Sequence, residues 1–367
     1  MNKFRLGDLC EVVSGTTPKT NCEEYWGGDI DWITPAEITE DTYVINESVR
    51  KITHQAVIDT GLKPFPLGTV ILSSRAPIGK VAIAGKEMYC NQGFKNFICS
   101  EQISNIYLYW FLKGNTKYLN SLGRGATFKE ISKPIIEDIE INLPSMNEQL
   151  KRAETLKKCS SIIDLYKQQL GKLDDLIKAR FVELFGDPIY NEKVWDTNTI
   201  EDVCKEIYGG GTPSKSHSEY YENGNIPWVS SKDMKTDVLE DSQIHINQLG
   251  VDNSTAKLVP ANSVIMVIRS GILKHTLPIA INVTPITINQ DLKAFIPDES
   301  MLAKFLAVQL KLHEKDILSS VRAVTADNIE FNSLKQRKII VPPIELQQQF
   351  ADFVQQVDKS KYVTSNR

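Results

Sequence analysis

Apolar residues in the middle of the chain recur at Leu156, Cys159, Ile163, Tyr166, Leu170, Leu173 and Ile177, in steps that alternate three and four. That spacing is the seam of a coiled coil and predicts one long helix. Ser145 and Glu148 open it as a capping box, in which the serine oxygen and the carboxylate each satisfy a free amide of the first turn. Phe185-Gly186-Asp187-Pro188 closes it, since glycine suits the left-handed cap and proline cannot continue a helix. From Asn147 to Phe185 such a helix spans about 58 Å at 1.5 Å per residue. Gly171 is a weak point inside it, about 1 kcal/mol less favourable than alanine.

A second stripe follows Pro342-Pro343, where Phe350, Val354 and Val357 are spaced four and three. It predicts a helix ending near Lys361, with Thr364 to Arg367 as a frayed tail. A lone helix with such a stripe is unstable in water, so the two are expected to pack antiparallel against each other. A helical linker packed only on its own domain is the plainer alternative. Elsewhere, β-branched runs such as Thr69 to Leu72 and Val264 to Ile268 predict buried strands. Ile139 to Leu143 and Lys338 to Val341 read as strands stopped by proline. Ile106 to Leu112 and Ala303 to Leu310 read as matching helices.

These elements occur twice in the same order. Thr17-Pro18-Lys19 and Ile30-Asp31-Trp32-Ile33 return as Thr212-Pro213-Ser214-Lys215 and Ile226-Pro227-Trp228-Val229. Asn91-Gln92 returns as Asn289-Gln290, Gly125-Ala126-Thr127 as Ala323-Val324-Thr325, and Leu143-Pro144 as Val341-Pro342. The offset drifts from 212 − 17 = 195 to 289 − 91 = 198, as small loop insertions produce. A period this long indicates two homologous domains rather than a solenoid. The expected fold is α+β, with two mixed α/β domains joined by long helices in an antiparallel coiled coil, arranged about a pseudo-two-fold axis. The boundaries fall at 1–144, 145–186, 187–343 and 344–367. Two similar domains suit a target that itself has two similar halves.

Composition narrows the class. The chain has 367 residues, 41% hydrophobic and 24% charged, which is ordinary for a globular protein with two cores. No stretch approaches the roughly 18 apolar residues of a membrane span, and the first residues lack a signal-peptide core, so a cytoplasmic protein is expected. Six cysteines without a C-x-x-C pair read as free thiols, and five scattered histidines show no metal spacing. A net charge of −4 argues against a nonspecific nucleic-acid coat, though not against a reader with its positive charge gathered on one face.

Catalytic signatures are absent. No G-x-x-x-x-G-K-[ST] is present, and Gly209-Gly210-Gly211-Thr212 lacks the lysine and reads as a turn. Val341-Pro342-Pro343-Ile344 lacks the amide or carboxylate that an amino-methyltransferase needs to hold its target amine. No acidic pair followed by E-x-K marks a metal-dependent nuclease.

What each half displays instead is polar side chains among turns. In the first half these are Thr17, Lys19, Ser74, Arg75, Lys80, Gln92, Lys95, Arg124 and Thr127. In the second they are Ser214, Lys215, Ser231, Lys232, Arg269, Lys274, Gln290, Lys293, Arg322 and Thr325. Arginine, lysine and glutamine can address base edges, and serine and threonine hold phosphates, which makes these the candidate DNA-binding residues. Arg75 and Arg269, each following a buried strand, are the foremost candidates. Trp32 and Trp228 read as core aromatics. Leu156, Ile163, Tyr166, Leu170, Leu173, Ile177, Phe350, Val354 and Val357 are expected to make the spacer and subunit contacts.

The ordered set resembles the DNA-specificity subunit of type I restriction–modification systems over essentially the whole chain. The resemblance rests on Gly210-Gly211-Thr212-Pro213-Ser214-Lys215 with Ile226-Pro227-Trp228-Val229, on their cruder first copies, and on the paired Asn-Gln stretches. Above all it rests on Leu176-Ile177-Lys178-Ala179-Arg180-Phe181-Val182-Glu183-Leu184-Phe185-Gly186-Asp187-Pro188, which closes the central helix. The resemblance implies two target-recognition domains, each reading half of a split site on double-stranded DNA, and a helical spacer that fixes the gap. It also implies two methyltransferase subunits and two motor-nuclease restriction subunits as partners, with S-adenosylmethionine, ATP and Mg on those partners and no cofactor on this chain. Half-sites about one DNA turn apart, roughly 34 Å, lie within reach of such a rod. In the family the C-terminal helix is usually comparable with the central one, whereas here it is expected to be short. A two-headed protein-binding scaffold without sequence-specific DNA affinity is the alternative.

Overall fold

A computed structural model describes residues 3–125, 129–323 and 327–365. The chain divides into two compact units, Met1–Asp164 and Leu165–Arg367. In each, β-branched runs with every residue buried form the middle of a five-stranded sheet.

In the N-terminal unit the strand order is Cys10–Ser14, Phe94–Cys99, Val70–Ser73, Val81–Ala84, Val44–Ile45. The first three junctions are antiparallel and the last is parallel. The helix Asn105–Gly114 buries Leu108, Tyr109 and Leu112 in the same core as Val70, Leu72, Val81 and Ile83. A smaller sheet, Lys51–Ile52, Trp26–Ile33, Tyr89–Cys90, completes the unit.

The C-terminal unit repeats the order as Cys204–Gly209, Leu292–Pro297, Val264–Val267, Ile279–Asn282, Val238–Leu239, again with only the last junction parallel. Its helix Ala303–Leu312 corresponds to Asn105–Gly114. Its second sheet gains a fourth strand, Leu258–Val259, paired with Ile286–Ile288. The duplication in sequence is therefore a duplication in topology.

Each unit is closed by pairing its first strand with its last. Lys3–Arg5 runs antiparallel to Glu140–Asn142, and Thr197–Thr199 to Lys338–Ile340. Proline ends each closing strand where it must leave the ladder. A glutamine one turn into the following helix then fastens that helix to the unit. Gln149 Oε1 accepts from the Ser104 amide (2.8 Å), and its Nε2 donates to the Gln102 and Pro144 carbonyls (both 3.0 Å). Gln347 repeats this with the Leu302 amide (2.9 Å) and the Ser300 and Pro342 carbonyls (both 2.8 Å).

The central helix runs Met146–Phe185, 40 residues or about 60 Å at 1.5 Å per residue. Only half of the expected capping box forms. The Glu148 amide donates to Ser145 Oγ at 3.4 Å, but the Glu148 carboxylate pairs with Arg152 instead of reaching back. Burial of Gln149 explains this, since it already fixes the helix start from the other side. The C-terminal helix spans Ile344–Ser365 and does not end near Lys361; helical backbone outlasts its apolar stripe, which stops at Val357, by about two turns.

Within the C-terminal unit the two helices pair antiparallel. Phe181 meets Phe350 (ring centroids 5.3 Å), Arg180 lies over Phe353, and Lys361 Nζ reaches Asp174 at 2.5 Å. Ile177, Phe350, Val354 and Val357 are buried in that core with Leu173 packed against it, while Tyr166 and Leu170 are half-buried. Leu156 and Ile163, in the N-terminal unit, are 45% and 55% exposed, so the seam residues there remain available to a partner. No described helix is long and apolar enough to cross a membrane.

Candidate DNA interface

Each unit presents one polar cluster, assembled where a Thr-Pro segment, an Asn-Gln turn and the end of a central strand meet. The first requirement is close backbone approach. A Cβ at Gly15 would overlap the Asn91 carbonyl oxygen, and one at Gly210 that of Ile288, so only glycine fits where these segments cross. The Gly209 to Thr212 stretch is thus a packing device rather than a phosphate cradle. The buried tryptophans fix the same segments. Trp32 Nε1 donates to the Thr16 carbonyl (3.0 Å) and Trp228 Nε1 to the Gly211 carbonyl (2.9 Å).

The next residue then bonds across. Thr17 Oγ1 donates to Gln92 Oε1, and Thr212 Oγ1 to Gln290 Oε1 at 2.5 Å. Both glutamines are exposed, with Oε1 engaged and no hydrogen bond from the NH2 donors among the described residues. The turn after each glutamine receives the arginine segment. The Gly93 carbonyl accepts from the amides of Ser74 (2.8 Å) and Arg75 (3.3 Å), and the Asp291 carbonyl from those of Ile268 (2.9 Å) and Arg269 (3.3 Å).

An acid orients each arginine. Arg75 Nε donates to Glu130 (2.8 Å), and Arg269 Nε to Asp291 (2.7 Å), with the Arg269 Nη2 at 2.6 Å from the same oxygen. The guanidinium groups keep 42% and 47% of their side-chain surface. Among the described residues Arg75 is hydrogen-bonded through Nε alone, and the two terminal nitrogens of a guanidinium form the fork that matches guanine O6 and N7. The two acids sit at non-equivalent places, Glu130 opposite Asn328 and Asp291 opposite Gly93. Residue-by-residue comparison of the two halves therefore hides them, and the sequence reading missed both.

A short hairpin flanks each arginine. Arg124 pairs through its backbone with Glu130 (3.0 and 2.9 Å), and Arg322 with Asn328. Glu130 and Asn328 also bridge to Arg75 and Arg269. Arg124 is exposed. Thr127 and Thr325 lie outside the described residues, as does the side chain of Arg322.

The other candidates separate by access. Ser74 is fully buried with its hydroxyl on the Gly93 carbonyl (3.1 Å), and Lys95 is 7% exposed with Nζ 3.4 Å from Glu130. Neither offers surface to a ligand; both support the Arg75–Glu130 pair. Lys80 is half-buried and braces the Pro35 carbonyl (2.8 Å). Lys293 is half-buried with Nζ 4.5 Å from the Phe331 ring centroid, and burial, aided by the nearby Lys335, lowers its pKa. Lys274 is exposed, 3.8 Å from Asp327. Lys19, Ser214, Lys215 and Lys232 are exposed and Ser231 is half-buried.

The comparisons agree with this duplicated layout. A family model described as the type I restriction modification DNA specificity domain matches residues 1–174 and again 192–366. A type I restriction enzyme specificity subunit, MjaIX, of Methanocaldococcus jannaschii is 33% identical over 372 residues, covering 96% of this chain and 85% of that one. The EcoR124I/EcoR124II specificity subunit of Escherichia coli is 40% identical over 171 residues, 46% of this chain and 42% of that one. Among solved structures, the type I restriction–modification S subunit from M. genitalium aligns over 100% of this chain and 91% of its own, with a TM-score of 0.55 at 15% identity, a likeness of fold. With the family matched in both halves and a relative matched along nearly the full length, the chain belongs to the type I restriction–modification DNA specificity family.

Proposed function

We propose that the chain is the non-catalytic, sequence-reading subunit of a type I restriction–modification complex, and that each cluster reads one half of a split site on double-stranded DNA. The observation that carries this is the repeated Thr–Gln–Arg cluster, in which donors are fixed by buried neighbours yet left open at the surface. Regions 1–144 and 187–343 act as the readers, and 145–186 with 344–367 as the spacer that fixes the gap. The exposed seam residues Leu156 and Ile163 suit contact with methyltransferase subunits. Two of these and two restriction subunits complete the assembly and carry S-adenosylmethionine, ATP and Mg, all in the cytoplasm. Ser74 and Lys95 are positioning residues in this scheme. Arg75, Arg269, Gln92 and Gln290 address bases, and Thr17, Lys19, Ser214, Lys215 and Lys232 address phosphates.

Selection from random DNA with the chain co-expressed with its methyltransferase tests the whole reading. A bipartite motif with a fixed unspecified gap is expected; a stable complex that enriches no sequence would overturn it. Arg269→Ala should relax one position in one half-site, with a loss of about 1–3 kcal/mol of discrimination there. Equal weakening at every sequence would reassign it to phosphate contact. Inserting seven residues beside Gly171, whose Cβ position is open, adds about 10.5 Å of helix, or about three base pairs of DNA. The selected gap should lengthen while the half-sites stay the same.

A further inference from the structure

The C-terminal unit contains a cavity of about 170 Å³ that its sister unit fills with its own side chains. In the N-terminal unit, Tyr43, Tyr109 and Trp110 form one aromatic cluster, with ring centroids 4.9, 5.1 and 6.4 Å apart. Lys113 and Lys157 lie over it, 5.3 Å from the Tyr109 ring and 5.2 Å from the Tyr43 ring.

The topology fixes the equivalent positions. Tyr109 and Trp110 are the fifth and sixth residues of the helix Asn105–Gly114, and Ala307 and Val308 hold those places in Ala303–Leu312. The Tyr43 carbonyl accepts from the Ile83 amide (2.9 Å), and the Asp237 carbonyl from the Ile281 amide (3.0 Å), so Asp237 stands where Tyr43 does. Three rings are thus replaced by a carboxylate, a methyl and an isopropyl group. The space left has walls of Ile279, Ile281, Ala307 and Val308.

Its charged rim is nearly all occupied. Lys304 pairs with Asp358 (2.9 Å), Lys361 with Asp174 (2.5 Å), and Lys311 with Glu314 (3.2 Å). The Asp237 carboxylate at the mouth has no hydrogen bond and no ion pair within 4 Å among the described residues, although Lys361 and Lys311 act on it at longer range. Apolar cavities of about 150 Å³ hold benzene, so a single aromatic ring fits this volume. Lys311, the ninth residue of its helix, holds the place from which Lys113 faces the N-terminal rings.

We infer that this cavity is a binding site for one aromatic ring carrying a hydrogen-bond donor, of the phenol class, with the donor directed at Asp237. The site is independent of the DNA clusters and has no counterpart among the described residues of the N-terminal unit, which has closed the equivalent space with its own tyrosines and tryptophan. The ring can come from a free small molecule or from a tyrosine side chain of a bound protein.

The test is a phenol titration of the intact chain, followed by isoleucine methyl NMR. Saturable shifts are expected at Ile279 and Ile281, with one equivalent bound and no shift at Ile83. Benzene should bind at least tenfold more weakly than phenol, and Asp237→Leu should remove that preference. Ala307→Tyr, which restores the sister unit's residue, should abolish binding while leaving methyl signals outside the cavity in place. Should that variant not fold, the Asp237→Leu comparison decides alone. N-acetyl-tyrosine amide binding alongside phenol assigns the ring to a protein side chain, and phenol binding alone to a free aromatic. No saturable shift, equal binding of phenol and benzene, or shifts unchanged in a folded Ala307→Tyr would each overturn the inference.

Discussion

Phe181→Ala is expected to destabilise the C-terminal unit by about 3–5 kcal/mol, the range for removing a fully buried phenylalanine. The ring has no exposed surface and contacts three others, with centroids 5.1 Å from Phe185, 5.1 Å from Phe305 and 5.3 Å from Phe350. Those rings come from the central helix, the helix on the sheet and the C-terminal helix, so the loss falls where three elements are held together. Each aromatic pair adds about 0.5–1.5 kcal/mol beyond the area it buries. Denaturation followed by a probe in each unit should show an early transition for the C-terminal unit alone. Leu156→Ala is the contrast. With 45% of that side chain exposed, its change in stability should stay within about 0.5 kcal/mol. An equal loss from both would show that the heptad pattern, and not the aromatic junction, carries the stability.

Gln347→Ala should cost about 3 kcal/mol, although no charge and little apolar surface is removed. The side chain is fully buried, and its loss leaves one amide and two carbonyls without partners. Gln347→Glu should do no better at neutral pH. Its carboxylate can still accept from Leu302 but then faces the two carbonyl oxygens of Ser300 and Pro342. Hydrogen exchange at the Leu302 amide reports the effect directly, and it should accelerate in both variants. Unchanged exchange in Gln347→Glu would mean that shape, not donor–acceptor matching, holds the helix start.

Much of this was legible in the sequence, for identifiable reasons. The heptad steps reveal the central helix because one face must stay apolar over many turns. The ordered pairs of motifs reveal the duplication because glycine at Gly15 and Gly210 and the tryptophans after them answer to close packing. The helix end at Ser365 was not legible, since hydrogen-bonded backbone continues after the stripe that signals it. Gln149 and Gln347 were missed because a glutamine near the start of a helix ordinarily faces water. Their equal distance from Pro144 and Pro342 was the available signal. Ser74 and Lys95 passed as surface candidates because residue type reports chemistry and not access. Glu130 and Asp291 escaped because the same oriented arginine is obtained from two different positions.

The closing strand pairs set an order of events during synthesis. Lys3 cannot find its partner until Asn142 has been made, so the N-terminal sheet stays open at that edge while most of its unit is being translated. Once closed, it is complete 340 − 142 = 198 residues before the closing strand of the C-terminal unit, Lys338–Ile340, has been made. At about 5–20 residues per second that is a lead of about 10–40 s of one unit over the other. The C-terminal unit must wait longer still for Phe350, which its core needs and which follows its closing strand. The first unit is therefore finished beside a growing chain whose second half is still open.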